Sequence, residues 1–289
     1  MTDIGFDGQV AIVTGAGHGL GRQHALALAA RGARVVVNDL GGTVDGSGSD
    51  AGPAQQVADE ISAAGGEAVA DTSSVASQQG GEAIVRTAVD AFGRVDIVIN
   101  NAGILRDKAF HNMTPESLDP VVQVHLYGAF WVTLPAWKLM RDQGYGRVVN
   151  TSSAAGLFGN FGQANYSAAK LGLVGLINTL AQEGAKYNIK ANALAPIAAT
   201  RMTEDILPPE VFKKLTPEYV APVVAYLCTE EVPDTASVFI VGGGKVQRAA
   251  LFQNEGVTFD HVPTVDDVAA QWSTIDDLAA AKPANFKLG

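Results

Sequence analysis

Three side chains in one stretch of the chain could move a proton: Ser153, Tyr166 thirteen residues later, and Lys170 four residues after that. On a helix, an i, i+4 pair puts the phenol and the ammonium on one face. A phenol with a pKa of ~10 is a poor base at neutral pH. A positive charge nearby favours the phenolate, so Lys170 is expected to lower the pKa of Tyr166. Beside a cationic hydride acceptor, such a tyrosine becomes a workable base for an alcohol. The trio reads as an alcohol–ketone proton-transfer site that needs a hydride acceptor.

The candidate acceptor site lies near the N-terminus. Thr14-Gly15-Ala16-Gly17-His18-Gly19-Leu20-Gly21 separates the first expected strand from the first expected helix. Glycines let a backbone turn sharply and approach a pyrophosphate closely, and a helix N-terminus presents free N–H groups to it. The spacing is T-G-x-x-x-G-x-G rather than G-x-G-x-x-G, because Leu20 stands where the third glycine would fall. Asp39 ends the second strand, eighteen residues after Gly21, and Leu40 follows it. A carboxylate there accepts from both adenine-ribose hydroxyls and repels a 2′-phosphate, which favours NAD over NADP. Asn100-Asn101-Ala102-Gly103 ends the fourth strand, where ligands collect in open α/β sheets, although Asn and Gly also favour ordinary turns.

The elements that must position these residues alternate. Short β-rich runs are expected at 10–13, 34–38, 67–70, 96–100, 147–151, 189–194 and 238–241. Helices are expected after Leu20, Pro53, Gln78, Pro115, Gln163 and Pro217. Thr114-Pro115-Glu116 and Thr216-Pro217-Glu218 both read as an N-cap, a proline at N1 and an acid in the first turn. Gly41 to Gly52 reads as an exposed loop, and 198–216, with Pro208-Pro209, as a lobe over the site or a surface excursion.

The composition is 47% hydrophobic and only 7% aromatic over 289 residues, which suits buried parallel strands covered by helices. A net charge of −10 argues against nucleic acid and against an anionic membrane surface. A single cysteine, Cys228, excludes an intrachain disulfide and fits a reducing compartment. The start of the chain lacks the basic, apolar pattern of a signal peptide, and no apolar run is long enough to span a bilayer. The expected location is the cytoplasm. Residues 1–248 are expected to form one domain and 249–289 an extension packing on the core or on a partner subunit. In that extension, Trp272 and Leu278 are expected to anchor one or two short helices.

Taken together, the glycine turn, Asn100-Asn101-Ala102-Gly103, the serine and Tyr166-x-x-x-Lys170 resemble the short-chain dehydrogenase/reductase family in order and spacing, over roughly residues 7–247. The resemblance implies an α/β, Rossmann-type, doubly wound parallel sheet of seven strands, followed here by a helical extension. It implies Tyr166 as catalytic acid/base, Lys170 as the ribose-binding residue that lowers its pKa, and Ser153 as holder of the substrate oxygen. It implies cofactor contacts at Gly15, Gly17, His18, Gly19, Leu20, Gly21, Asp39, Ser74, Val75, Asn100, Ala102, Gly103, Tyr166, Lys170, Pro196 and Thr200, and a homodimer or homotetramer.

Within the family, Asn38 to Gly42, Asn101 to Asp107 and Gly159 to Tyr166 are similar to the (3R)-hydroxyacyl-CoA dehydrogenase units of peroxisomal multifunctional enzymes. The expected activity is NAD-dependent oxidation of (3R)-3-hydroxyacyl-CoA in fatty-acid or steroid side-chain degradation, by a stand-alone version. The alternatives are a 17β-hydroxysteroid or other secondary-alcohol dehydrogenase, a biosynthetic 3-oxoacyl reductase, and a non-catalytic NAD-binding scaffold. Three residues depart from the family pattern: His125 for an asparagine, Ser74 for an aspartate, and Ile197 for a glycine. On the residues alone, His125 reads as a packed histidine, Cys228 as core, and Arg106 and Lys108 as solvated cations that could meet a CoA phosphate. The histidines have no metal-ligand spacing, so no metal site is expected.

Overall fold

A computed structural model of the chain describes residues 4–198 and 214–284. They divide into two compact units, Met1–Gln247 and Arg248–Gly289.

The main sheet is built on strands β1 Val10–Thr14, β2 Arg34–Asn38, β3 Glu67–Asp71, β4 Ile97–Asn100, β5 Gly146–Thr151, β6 Ile189–Pro196, β7 Val238–Gly242 and β8 Lys245–Ala249. Their order is β3-β2-β1-β4-β5-β6-β7-β8. The first seven pair in parallel, with β1 Val13 opposite both Val37 and Ile99. Every residue of β1, β4 and β5 is buried, as central strands covered on both faces require. The sheet has eight strands rather than the expected seven. Gly243 (φ 56°) and Gly244 (φ 80°) allow a two-residue hairpin after β7, and β8 returns along its edge. The strand order reverses between β1 and β4, which opens a crevice at their carboxyl ends.

The helices are α1 Gly19–Ala29, α2 Gly52–Ala63, α3 Gln78–Phe92, α4 Pro115–Val122, α5 Gly128–Gln143, α6 Ala154–Phe158 and α7 Ala164–Gly184. Two differ from the sequence expectation. Thr216-Pro217-Glu218 opens only a single 3₁₀ turn, Pro217–Tyr219, and the helix proper is Ala221–Leu227. Helix α6 is one turn long, too short to leave a periodic signal. It packs on α7 so tightly that a Cβ on Gly156 would lie 2.8 Å from the Lys170 Cβ. Between α4 and α5, Gln123–Tyr127 forms a π-helical turn.

In the second unit, Phe252–Gln253 and Lys282–Pro283 pair antiparallel. Its helix, Val265–Ile275, is capped by Thr264, which accepts from the Asp267 N–H while Asp267 accepts from the Thr264 N–H. Asn254 donates to the carbonyls of Ile275 and Asp277 and closes the helix C-terminus. Trp272 and Leu278 are exposed, so they do not anchor this unit internally.

Candidate active site

The crevice holds a cavity of about 430 Å³. Of the residues singled out from sequence, Gly15, His18, Gly19, Leu20, Asp39, Ser74, Val75, Ala102, Gly103, Ser153, Tyr166, Lys170 and Pro196 line it. Gly17, Gly21 and Asn100 lie just behind its wall, and Thr200 lies outside the described residues, as do Arg201, Met202, Thr203 and Pro208-Pro209.

One end of the cavity is made of backbone. Gly15 (φ 64°) and Gly19 (φ 52°) take left-handed conformations. A Cβ on Gly21 would sit 2.2 Å from the Gly15 carbonyl oxygen, and one on Gly17 would sit 2.8 Å from Asp39 Oδ2. The Gly17 N–H donates to Asp39 Oδ2 at 2.8 Å and the Gly41 N–H to Oδ1 at 2.7 Å, so the carboxylate is held at the lip of β2. Thr14 Oγ1 accepts from the Asn101 and Ala102 N–H groups, and Asn101 Nδ2 donates to the carbonyls of Thr14 and Gly15. Asn101 thus ties the glycine turn to β4. Asn100 instead bridges inward, donating to Asn150 Oδ1 and Thr133 Oγ1. Ser74 and Val75 follow β3, and the Ser74 hydroxyl accepts from the Ala76 N–H.

The loop after Asp39 is not merely exposed. Gly42, Thr43, Val44 and Gly46 wall the cavity. The Leu105 N–H donates to the Val44 carbonyl at 2.9 Å and Arg106 Nε to the Asp45 carbonyl at 2.8 Å. Arg106 also donates to the Glu116 carbonyl, so this guanidinium serves the loop. The composition of the loop, polar and glycine-rich, hid this partner sixty residues away.

The other end is made of side chains. Ser153 caps α6, its Oγ accepting from the Ala155 N–H at 3.2 Å, and it also hydrogen-bonds the Tyr166 phenol. Tyr166 and Lys170 are one turn apart on α7, with the ammonium 5.5 Å from the ring centroid. Lys170 Nζ donates to the Thr151 carbonyl, and the Ser152 hydroxyl donates to the Lys170 carbonyl. Burial lowers the Lys170 pKa to about 7. Here the outcome differs from the sequence expectation: Tyr166 stands above an ordinary phenol, not below it. Burial raises it, the Ser153 hydrogen bond opposes that, and the charge of Asp107 adds to the rise. A lysine that itself loses charge near neutrality cannot by its presence alone outweigh desolvation.

His125 is buried on the π-helical turn, edge-on to Tyr166 with centroids 5.1 Å apart. Its Nε2 lies 2.8 Å from the Ile104 carbonyl oxygen, and Gly103 leaves room for the ring, since a Cβ there would be 2.3 Å from His125 Cε1. Burial and the Lys170 charge hold its pKa well below the usual value, so the ring is neutral. His125 Nδ1 and Asn100 Oδ1 have no hydrogen-bond partner. Both residues, with Lys170, line a chamber of about 10 Å³ behind the cavity, the size of one water. Cys228 is buried and its thiol is pushed up to about 12 by desolvation.

Sequence reasoning missed the 42–46 wall; it reached Asn101 only as part of a strand-end turn, and Asn160 and Gln163 only within the Gly159 to Tyr166 resemblance, and all three line the cavity. A dinucleotide fits this donor set: a glycine cradle that any Cβ would fill, a helix N-terminus, and a fixed carboxylate at the strand end.

A glycine-cradled crevice with a serine, tyrosine and lysine at its far end defines a nicotinamide-dependent oxidoreductase site. Residues 9–210 match the short chain dehydrogenase family, and the chain belongs to it. A short-chain type dehydrogenase/reductase of Mycobacterium tuberculosis is 64% identical over 98% of this chain and 99% of its own length. Peroxisomal multifunctional enzyme type 2 of Mus musculus is 50% identical over 98% of this chain, which spans 38% of that protein. A 7α-hydroxysteroid dehydrogenase solved with NADH and 7-oxo glycochenodeoxycholic acid superimposes with a TM-score of 0.75 at 28% identity, over 84% of this chain and 96% of its own. Among the described residues, no helix is long and apolar enough to cross a membrane.

Proposed function

We propose that the protein oxidises (3R)-3-hydroxyacyl-CoA to 3-oxoacyl-CoA with NAD. The observation that carries the reading is that Ser153, Tyr166 and Lys170 wall the same cavity as the glycine turn and Asp39. The 50% identity to multifunctional-enzyme relatives favours an acyl-CoA substrate. Gly15 and Gly19, with His18 and Leu20, would hold the pyrophosphate, while Gly17 and Gly21 leave the turn room to form. Asp39 accepts from the adenine-ribose hydroxyls and disfavours a 2′-phosphate. Ser74, Val75, Ala102, Gly103 and Pro196 shape the remaining walls, and Asn100 supports them from behind.

The chemistry a bound oxidised nicotinamide would supply is acceptance of the C3 hydrogen as hydride, together with a positive charge that favours the phenolate. Ser153 holds the substrate oxygen, and Tyr166 removes its proton as the C3–O bond becomes a carbonyl. Lys170 would hold the nicotinamide ribose, and only together with the charge of the oxidised ring would it favour the phenolate against the burial that raises the Tyr166 pKa. His125, neutral and anchored on Ile104, packs the back of the tyrosine ring. The protein acts in the cytoplasm as a homodimer or homotetramer, with the exposed Phe130 and Leu134 of α5 facing the neighbouring subunit.

The test is a substrate panel: (3R)-hydroxyacyl-CoAs of several chain lengths and steroid alcohols, each with NAD and with NADP. The account expects NADH formation with acyl-CoAs and a clear preference for NAD. A higher kcat/KM on steroid alcohols would move the reading to a hydroxysteroid dehydrogenase, and no turnover of any acyl-CoA would end it.

A further inference from the structure

One polar cluster in the cavity has its side-chain hydrogen bonds among its own members rather than to the cofactor cradle or to Ser153, Tyr166 and Lys170. Gln163 Nε2 donates to Asp107 Oδ2 at 2.7 Å, and Asn160 Nδ2 donates to Gln163 Oε1 at 2.9 Å. Gln163 is buried, and it and Asn160 line the same cavity as Ser153 and Tyr166. An ionised carboxylate only accepts, so Asp107 fixes which end of the amide faces it. The amide oxygen is then taken by Asn160. What remains of Gln163 is its second N–H, a donor held in place at the wall of a ligand cavity.

The pair is not needed as a tether. The Asp107 loop is already fastened to the segment before α7 by the Lys108 N–H on the Gly162 carbonyl at 2.8 Å. Asn165 fastens it again, donating to the carbonyls of Arg106 and Ser117. A buried amide oriented on both sides, with one donor left over at the cavity wall, is built to recognise an acceptor on a ligand.

We propose that Gln163 is a second oxygen-binding residue: it donates to a carbonyl oxygen on the substrate carbon two removed from the carbinol, the thioester carbonyl of a 3-hydroxyacyl group. Asp107 is the positioning residue that orients it. The inference rests on the acyl substrate class given above and deepens it. It explains how a site with general alcohol chemistry selects a β-oxygenated acyl chain, because a donor left unpaired by the wrong substrate penalises that substrate.

The test compares a (3R)-3-hydroxyacyl-CoA with its thioether analogue, in which the C1 carbonyl is a methylene. The wild-type protein should favour the thioester by about tenfold or more in kcat/KM, the scale of one lost hydrogen bond to a buried donor. In Gln163→Leu that preference should collapse towards unity. In Asp107→Asn the amide can flip, so the preference should fall part-way, while the loss of the charge that raises the Tyr166 pKa acts on both substrates alike and cancels in their ratio. NADH binding by fluorescence checks that each variant is folded, and Asp107→Asn carries the test if Gln163→Leu does not fold. A wild-type protein with no preference, or variants that slow both substrates equally and keep it, would overturn the proposal. A wild-type protein that does not oxidise the thioester at all would instead remove the substrate class, and that result is seen without any variant.

Discussion

The two ends of the cavity are built from different materials. At the β1–β2 end, recognition rests on main chain: left-handed glycines, a helix N-terminus and a carboxylate clamped by the Gly17 and Gly41 N–H groups. At the β5–α7 end, it rests on side chains whose ionisation is set by burial: Lys170 near 7, Tyr166 raised, His125 kept neutral. Backbone cannot titrate, so the pyrophosphate cradle of the first end should hold its ligand with little dependence on pH near neutrality. The second end is poised to change charge near neutrality, which is what acid–base catalysis requires. Damage to the first end should therefore appear as lost affinity, and damage to the second as lost rate.

The sharpest way to break this division is Tyr166→Phe. Losing this phenol should cut kcat by about 10²–10⁴-fold, the usual worth of a general acid–base group, while NADH affinity stays within about threefold. Comparable losses in both would mean that the two ends are not separable. Next in size is Gly21→Ala. Its Cβ would lie 2.2 Å from the Gly15 carbonyl oxygen and 2.6 Å from Asn101 Nδ2, so the turn must shift. Weaker NADH binding by about tenfold or more is expected, with a stability loss of about 1–3 kcal/mol in denaturant titrations. Asp39→Asn should have a smaller effect. It keeps an oxygen and a similar shape but removes the charge, so the ratio of NAD to NADP kcat/KM should fall by roughly tenfold.

A further prediction concerns stability against pH. The folded-state pKa of Lys170 lies near 7, below the unfolded value near 10.5. Between these values the unfolded chain binds a proton that the folded one does not, so stability from this group rises with pH from about 7 to about 10.5. Lys170→Met should flatten that rise. The difference between wild-type and variant melting temperatures, followed from pH 6 to pH 10, isolates it from Lys190 and Tyr145, which titrate in both proteins. Parallel curves would show that Lys170 is not desolvated as described.

The same contrast explains what could be read from the sequence. The glycine turn, Asp39 and the Tyr166–Lys170 spacing are local patterns. Each carries its physical reason within a few residues, as do the buried strands that place them. The side-chain end depends on partners far apart in the chain. Nothing near Gln163 indicates that Asp107 will orient it, or near Val44 that Leu105 will pair with it. His125 owes its position to a π-helical turn that has no periodic signature. The Tyr166 pKa departs from the sequence expectation for the same reason. The sign of the Lys170 effect was local, but the burial that outweighs it comes from the whole cavity wall.

The central claim is that the two ends serve one reaction, and isotope transfer tests it most directly. A (3R)-3-hydroxyacyl-CoA carrying deuterium at C3 is incubated with NAD and the wild-type protein, and the NADH is examined by mass spectrometry. The account predicts one deuterium in the reduced cofactor for each 3-oxoacyl-CoA formed. Product without label in NADH, or NADH formed with no loss of the C3 deuterium, would contradict it.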